Sequence, residues 1–176
     1  RVSKKPIINA GAGNNQHPTQ ALLDMYTIKR ELGKLDGLDV VFLGDMQNAR
    51  TVRSLAYFLA HRKDNILHFV SPPALNMGED ILKYLDSKNV EFSQHNAPED
   101  LDRLVEKTNV LYVTRIQKER FQERGGYDTI ADNYGRFVLD KKRADSMHET
   151  AIIMHPLPIN TMDGTPEIVP EIEDRS

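Results

Sequence analysis

The segment from Asn14 to Gln20 places a histidine and an amide side chain at the start of a predicted helix. It reads Asn-Asn-Gln-His-Pro-Thr-Gln and leads into an apolar helical run that begins at Ala21. Because Pro18 can open a helix, His17 and Gln20 fall on neighbouring positions of its first turn. Two neutral hydrogen-bonding groups would then face one small polar ligand. The alternative interpretation is a capped helix start with a solvated histidine.

Two arginines follow predicted buried strands. Arg50 comes after the first strand of the predicted sheet, and Arg115 and Gln117 come directly after the fourth. A guanidinium group forms a planar fork that matches a carboxylate or a phosphate with two parallel hydrogen bonds. Arg50 and Arg115 are therefore candidates to hold a dianionic ligand, and Gln117 could orient the guanidinium of Arg115 or bind the same anion. For either arginine alone, a surface salt bridge is the alternative.

A third polar cluster follows the fifth predicted strand, where His155, Pro156, Leu157 and Pro158 are consecutive. The two prolines bracket Leu157 and leave backbone carbonyls with few internal partners. These carbonyls could accept hydrogen bonds from an amide-like NH2 group. The alternative is a rigid loop after a buried strand.

The residue types exclude several chemistries. The chain has no cysteine and no Gly-x-Ser-x-Gly turn, so we expect no covalent catalysis. A neutral His17 would instead donate a hydrogen bond to a carbonyl oxygen that gains charge in a transition state. The six histidines lack zinc-ligand spacing, and the loop Gly44 to Ala49 is not Gly-x-Gly-x-x-Gly. We therefore expect no metal, no dinucleotide and no other cofactor.

The elements that must position these residues alternate between short apolar runs and amphipathic stretches. This alternation predicts an α/β fold, a Rossmann-like, doubly wound parallel sheet of about five strands with helices on both faces. One strand, Pro6 to Asn9, and one long helix precede it. In such sheets ligands bind beyond the carboxyl ends of the strands. The predicted strands are Asp39 to Leu43, Ile66 to Val70, Val90 to Ser93, Asn109 to Val113 and Ala151 to Met154.

The predicted helices follow from apolar spacing. In the opening helix the apolar residues recur at spacings of three and four, and Gly33 is placed to end it in a left-handed conformation. The remaining helices begin near Arg50, run from about Gly78 to Lys88, and run from about Glu99 to Lys107. The basic run Lys141 to Arg143 is interpreted as a solvated helix face.

Composition limits the class of protein. The 176 residues suffice for one domain plus an appendage, and a net charge of −3 does not indicate a nucleic-acid binder. No apolar stretch approaches the roughly 20 residues that span a bilayer. The absence of cysteine fits a reducing compartment, so we expect a cytoplasmic protein with no membrane contact. Since the chain begins with Arg1 rather than Met, we expect a piece of something longer.

Four segments together resemble the family of aspartate carbamoyltransferase catalytic chains. They are INAGAGNNQHPTQALLD at 8–24, VVFLGDMQNARTVRSL at 40–55, VLYVTRIQKERF at 110–121 and IMHPLPIN at 153–160. Their order and spacing match the family across nearly the whole chain, and TRIQKERF resembles the aspartate rather than the ornithine branch. The resemblance implies carbamoyl transfer from carbamoyl phosphate to L-aspartate in pyrimidine biosynthesis.

The resemblance also implies roles for individual residues. In the carbamoyl phosphate site, His17 would bond the carbonyl oxygen and Gln20 would hold the amino group, together with backbone groups of Pro156, Leu157 and Pro158. In the aspartate site, Arg50 would bind the α-carboxylate of aspartate and Arg115 the side-chain carboxylate, with Gln117 positioning Arg115. His17 and Gln20 are the residues expected at the reacting carbamoyl group.

The domain organisation implied by the resemblance is a division near residue 33. Residues 1–33 would be the end of the carbamoyl phosphate domain with an interdomain helix, and residues 34–176 an aspartate-binding domain truncated at its carboxyl terminus. The family's amino-terminal half, with its Ser-Thr-Arg-Thr motif, would be the missing partner, so the chain would be inactive alone. The full-length protein would be a homotrimer with shared active sites.

Two side chains depart from the family pattern. Ala12 stands where the family usually has Asp, and Ile159 where it usually has Arg, so each change removes a charge near an active-site loop. They leave open a second function, a non-catalytic paralogue that uses the same fold for ligand binding or assembly. A generic nucleotide-binding domain is the third alternative.

Overall fold

The computed structural model describes residues 5–6, 9–11, 16–115, 135–159 and 166–175. Gln117, Ala12 and part of the strand predicted over Pro6 to Asn9 lie outside these ranges. The described strands are β1 (Asp39–Leu43), β2 (Ile66–Val70), β3 (Glu91–His95), β4 (Val110–Val113) and β5 (Ile152–Met154). The helices are α1 (Pro18–Leu32), α2 (Arg50–Leu59), α3 (Glu79–Ser87), α4 (Pro98–Leu104) and α5 (Lys141–Ser146), with 3-10 turns at Pro73–Leu75 and Pro170–Arg175.

The five strands form one sheet in the order β3-β2-β1-β4-β5. Every pair of neighbours is parallel. The predicted doubly wound parallel sheet is therefore confirmed. The largest error in a strand boundary is at β3, which continues to His95 because Val70, the last residue of β2, pairs with His95. None of the helices in the described part of the chain combines the length and apolar character that a membrane crossing requires.

Each face of the sheet carries its own apolar layer. Phe42, Phe69 and Tyr112 point to one face, where they pack with side chains of α1, α2 and α3. Val41 and Val113 point to the other face, where they pack with residues of α4 and α5. Because successive side chains of a strand alternate between faces, strands covered on both sides read as continuous apolar runs. Those runs make the central strands β1 and β4 recognisable in the sequence.

The order in which strands are added to the sheet reverses at β1, whose neighbours are β2 on one side and β4 on the other. At such a switch point the loops that leave the two central strands diverge and open a crevice. Gly44 follows β1 there with a φ of +121°, and a Cβ at this position would lie 2.2 Å from the backbone oxygen of Thr114 after β4. Only glycine allows this approach. The two strand ends are therefore in direct contact at the base of the crevice.

The prediction of a solvated face over Lys141 to Arg143 is wrong for one of the three residues. Lys141 and Lys142 are exposed, whereas the side chain of Arg143 is only 11% exposed. Its guanidinium group donates to the Asp102 carboxylate at 2.7 Å and to the backbone oxygen of Val138 at 2.7 Å. A basic run shows no periodicity that would tell an anchoring arginine from its solvated neighbours. The contacts of Arg143 tie α5 to α4 and to the segment that precedes α5.

Helix boundaries differ from the prediction at α4. The helix ends at Leu104 rather than near Lys107, because the N–H groups of Lys107 and Thr108 both donate to the backbone oxygen of Leu104. The turn after Leu104 is therefore tighter than an α-helical turn, and the chain leaves it toward β4. At α1 the predicted end is confirmed, since Gly33 has a φ of +70° and donates to the backbone oxygen of Lys29.

Candidate active site

His17 is the N-cap of α1, with Pro18 in the first turn as the sequence indicates. Its Nδ1 accepts a hydrogen bond from the backbone N–H of Gln20 at 3.3 Å. A neutral imidazole has one acceptor nitrogen and one donor nitrogen. Because Nδ1 accepts, the ring proton of neutral His17 belongs on Nε2. The helix cap thus selects the tautomer that can donate a hydrogen bond to a ligand.

A serine of α2 fixes the chain that leads into α1. The backbone N–H of His17 donates to Oγ of Ser54 at 2.8 Å, and this hydroxyl donates in turn to Oε1 of Gln16. Ser54 is buried. It lies one turn beyond Arg50 on α2. The residue pair Gln16 and His17 is therefore anchored close to the first turn of the helix that Arg50 begins.

Arg50 is the first residue of α2 and is half-buried. Gly11, in the segment before α1, lies beside its guanidinium group, because a Cβ at Gly11 would be 3.7 Å from Nη1 of Arg50. The guanidinium thus lies next to the backbone of the same segment that carries His17. The structure brings His17 and Arg50 to one corner of the sheet's carboxyl edge.

Gln20 points to a carboxylate that sequence analysis did not identify. Its Nε2 donates to Oδ1 of Asp24 at 2.9 Å, and the Tyr112 hydroxyl donates to Oδ2 of Asp24, also at 2.9 Å. Asp24 is only 2% exposed. Burial raises the pKa of Asp24, against the lowering effects of the hydrogen bonds from Gln20 and Tyr112. Burial also raises the pKa of Tyr112 far above its usual value, and the charge of Asp24 adds to that effect.

Arg115 follows β4 and is half-buried, directly after the buried Thr114. The backbone N–H of Thr114 donates to the oxygen of Leu43 at 2.9 Å, so the exit of β4 is fixed beside the exit of β1. Gln117 lies outside the described residues. The structure therefore places Arg115 at the same edge of the sheet as Arg50, on the strand next to the one that leads to Arg50.

The loop after β5 is shaped by His155. Its Nδ1 accepts from the backbone N–H of Leu157 at 2.8 Å, and its Nε2 lies 3.0 Å from Oε1 of Glu167. The side chains of His155 and Glu167 are both buried. Leu157 has a φ of +57°, the peptide bond between Leu157 and Pro158 is cis, and the Leu157 side chain is exposed. The loop predicted from two prolines is thus present, and its tight turn is held by a histidine that the sequence analysis left without a role.

The described site residues share one edge of the sheet. His17 and Gln20 start α1, Arg50 starts α2, Arg115 follows β4 and Pro156 to Pro158 follow β5. Among the residues that the structure describes, no group of three or more histidine, aspartate or glutamate side chains is arranged to hold a metal ion. Two guanidinium groups, a neutral imidazole and an amide suit an anionic ligand that also carries a carbonyl and an amino group.

Two protein-family models match the chain. The model described as aspartate/ornithine carbamoyltransferase, Asp/Orn binding domain, matches residues 36–174. The model described as aspartate/ornithine carbamoyltransferase, carbamoyl-P binding domain, matches residues 1–30.

Relatives and solved structures carry related names. "Aspartate carbamoyltransferase 3, chloroplastic" of Pisum sativum is 50% identical over 153 residues, which are 87% of this chain and 38% of that protein. The aspartate carbamoyltransferase catalytic subunit of Methanocaldococcus jannaschii is 46% identical over 156 residues, 89% of this chain and 48% of that protein. The chain thus spans less than half the length of both relatives.

The structural similarity extends over almost the whole chain. A structure of the M. jannaschii catalytic subunit has a TM-score of 0.80 at 43% identity and covers 98% of this chain and 52% of the other. Aspartate transcarbamoylase from Trypanosoma cruzi in complex with carbamoyl phosphate has a TM-score of 0.85 at 36% identity and covers 99% of this chain and 53% of the other. The same enzyme has been solved with N-(phosphonacetyl)-L-aspartic acid.

Proposed function

Because this chain belongs to the aspartate/ornithine carbamoyltransferase family, we propose that the protein containing it transfers a carbamoyl group from carbamoyl phosphate to L-aspartate. The products are N-carbamoyl-L-aspartate and phosphate, and the reaction serves pyrimidine biosynthesis. The choice of aspartate rather than ornithine is supported by the relatives, which are named aspartate carbamoyltransferases.

The observation that carries the proposal is the hydrogen bond from the backbone N–H of His17 to Oγ of Ser54. It joins the start of α1 to the helix that begins with Arg50. A group that binds the carbamoyl oxygen and a group that binds a carboxylate of aspartate must lie close together, since the two substrates react with each other. In this assignment Nε2 of His17 donates to the carbamoyl oxygen, and Gln20 holds the amino group with backbone groups of Pro156, Leu157 and Pro158.

The aspartate side of the site uses the two guanidinium groups at the switch point. Arg50 takes the α-carboxylate, and Arg115 takes the side-chain carboxylate with Gln117 positioning it. A dicarboxylate matches two guanidinium groups better than a monocarboxylate does, because each guanidinium can make two parallel charge-assisted hydrogen bonds to a carboxylate. Neutral or cationic side chains on the second substrate would leave one guanidinium without its anion. This geometry supports aspartate as the acceptor.

The chemistry then needs no nucleophile from the protein. The aspartate amine attacks the carbamoyl carbon, a C–N bond forms, and the bond from that carbon to the phosphate oxygen breaks. The departing phosphate accepts the proton that the amine loses. Negative charge collects on the carbamoyl oxygen in the tetrahedral species, where the Nε2–H of His17 stabilises it. Orientation of the two substrates supplies most of the remaining rate.

The domain assignment and the assembly are part of the proposal. We assign residues 1–33 to the end of a carbamoyl phosphate domain with an interdomain helix, and residues 34–176 to the aspartate domain. On α1, Leu22 and Leu23 are 55% and 59% exposed and Tyr26 is 66% exposed, which supports α1 as a helix that the missing half covers. The full-length protein is proposed to be a cytoplasmic homotrimer, although the pea relative carries a chloroplastic name.

Calorimetry of the full-length protein with N-(phosphonacetyl)-L-aspartic acid tests the assignment. Arg50→Ala and Arg115→Ala should each weaken binding by at least about 30-fold, since each removes a charge-assisted contact to a carboxylate. The matched control is Arg62→Ala, because Arg62 forms an exposed ion pair with Asp36 outside the proposed site. Binding that survives both site substitutions with the affinity of the control would remove the assignment.

Activity separates the enzyme from the non-catalytic paralogue that Ile159 and Ala12 suggest. Mixing this chain with the amino-terminal half should restore formation of N-carbamoyl-L-aspartate. A full-length protein that assembles, binds the analogue and still forms no product would support the paralogue instead.

A further inference from the structure

A buried carboxylate connects three elements of the proposed site. Asp24 of α1 accepts hydrogen bonds from Nε2 of Gln20 and from the hydroxyl of Tyr112 on β4, each at 2.9 Å. Tyr112 also has a side-chain interaction with Thr51 of α2. Each of these elements carries a proposed ligand-binding residue nearby. Gln20 lies one turn before Asp24, Arg50 precedes Thr51, and Arg115 follows Tyr112 by three residues.

The contact between Gln20 and Asp24 determines which end of the carboxamide faces away from Asp24. An ionised carboxylate can only accept hydrogen bonds, so the NH2 group of Gln20 must point toward it. Reversing the amide would bring two acceptor oxygens together and leave the buried Asp24 carboxylate without this donor, which is costly. The Oε1 atom of Gln20 therefore points away from Asp24, where it can accept a hydrogen bond. A carbamoyl group offers the matching donor in its NH2.

We propose that Asp24 is a positioning residue which, by orienting the carboxamide of Gln20, makes the site select a substrate that carries an amino group on its carbonyl carbon. The inference rests on the proposed function and identifies the NH2 group of carbamoyl phosphate as the group that Asp24 helps to recognise through Gln20. An acyl phosphate with a methyl group in place of NH2 would offer Oε1 no donor.

The burial of Asp24 supports a role beyond packing. Its carboxylate is 2% exposed on the apolar side of α1, between Ala21 and Ile28, which are both fully buried. Burial raises the pKa of Asp24, so the fold works against the charged form. An apolar residue at this position would avoid that cost. The presence of an acceptor-only carboxylate here is explained by its effect on Gln20, whose carboxamide it orients.

Steady-state kinetics of the full-length protein test the proposal with Asp24→Asn. The Tyr112 hydroxyl donates to residue 24 in the wild type, so the carbonyl of an asparagine there turns toward Tyr112. The asparagine NH2 then faces Gln20 and reverses its amide. The KM for carbamoyl phosphate should rise by about 10- to 100-fold, because Oε1 no longer meets the substrate amino group. Asp36→Asn, an exposed carboxylate outside the site, is the matched control and should leave the KM unchanged.

Three further readouts separate positioning from structural damage. Acetyl phosphate has a methyl group where carbamoyl phosphate has NH2, so its inhibition constant should stay within about twofold of wild type in Asp24→Asn. In a Gln20→Ala background, Asp24→Asn should have no further effect on KM. Adding Tyr112→Phe should lower the KM of Asp24→Asn again, since the asparagine carbonyl can then turn to Gln20. If Asp24→Asn does not fold, Asp24→Ala takes its place in the first two measurements.

The outcomes are distinguishable. A KM effect that persists without the Gln20 side chain, or a KM that does not change in Asp24→Asn, would overturn the role of Asp24 while leaving carbamoyl transfer in place. Failure of the wild-type protein to bind N-(phosphonacetyl)-L-aspartic acid would instead remove the proposed function on which the inference rests.

Discussion

Replacing Gly44 with alanine should separate the two central strands at the base of the candidate site. Gly44 has a φ of +121°, and its new Cβ would lie 2.2 Å from the backbone oxygen of Thr114. Backbone strain of this kind costs about 1–3 kcal/mol. The strand ends must also open by roughly 1 Å to reach an ordinary contact distance, which adds about 1–3 kcal/mol of overpacking. We expect Gly44→Ala to lower the free energy of unfolding by about 2–6 kcal/mol.

Urea unfolding followed by circular dichroism measures this loss. With an m-value of about 2 kcal/mol/M, Gly44→Ala should lower the midpoint by roughly 1–3 M. Gly33→Ala is the matched control, because Gly33 also has a positive φ, +70°, but no atom within 4 Å of the added Cβ. The control isolates the backbone term and should cost about 1 kcal/mol, or roughly 0.5 M. Equal midpoint shifts for the two variants would refute the argument that Thr114 restricts residue 44.

Three other substitutions test separate contacts by urea unfolding. Burial raises the pKa of Asp24 in the folded state above its ordinary value of 3.8, so the charged carboxylate disfavours folding. As the pH rises from 3.8, Asp24→Asn should therefore become more stable relative to wild type. Parallel pH profiles of the two proteins would contradict this. His155→Leu removes a hydrogen bond from the buried Glu167 carboxylate and should cost about 1.5–3 kcal/mol, an effect that an unchanged midpoint would exclude. Arg143→Ala should lower the free energy of unfolding by about 2–3 kcal/mol, and Lys142→Ala by less than about 0.5 kcal/mol. Equal losses in the two variants would contradict the role of Arg143 in holding α5 to α4.

The strands and the start of α1 were predictable because their signals are local. A parallel strand covered on both faces must be apolar, and β1 and β4 contain such runs. The edge strand β3 is mostly polar and partly exposed, and its boundary was predicted least well. Pro18 and the residues before it mark a helix start, and Gly33 marks its end. The carboxyl-edge rule then predicted that the polar clusters after these strands share one edge. The described clusters do lie along that edge.

The side chains that support the site were not predictable, since their partners are distant in the sequence. Tyr112 meets Asp24 across 88 positions, and His17 meets Ser54 across 37. Ser54 does not differ locally from the other polar residues of an amphipathic helix. The position of Asp24 on the apolar stripe of α1 was the one available signal. It indicates that the carboxylate is buried, but it does not indicate which residue the carboxylate contacts. Long-range polar contacts of this kind depend on how helices pack on the sheet.

The buried polar contacts concentrate where α1 meets the rest of the fold. Apolar packing holds α1 to the sheet through few side chains, since Leu22, Leu23 and Tyr26 point to solvent. The orientation of the helix start is instead set by the bonds of His17 to Ser54 and of Asp24 to Tyr112. Hydrogen bonds are directional and apolar contacts are not, so two such bonds, seven residues apart along α1, fix both its rotation and its position along its axis. The proposed carbamoyl-binding residues therefore keep their register with the two arginines through one part-buried and one buried polar contact.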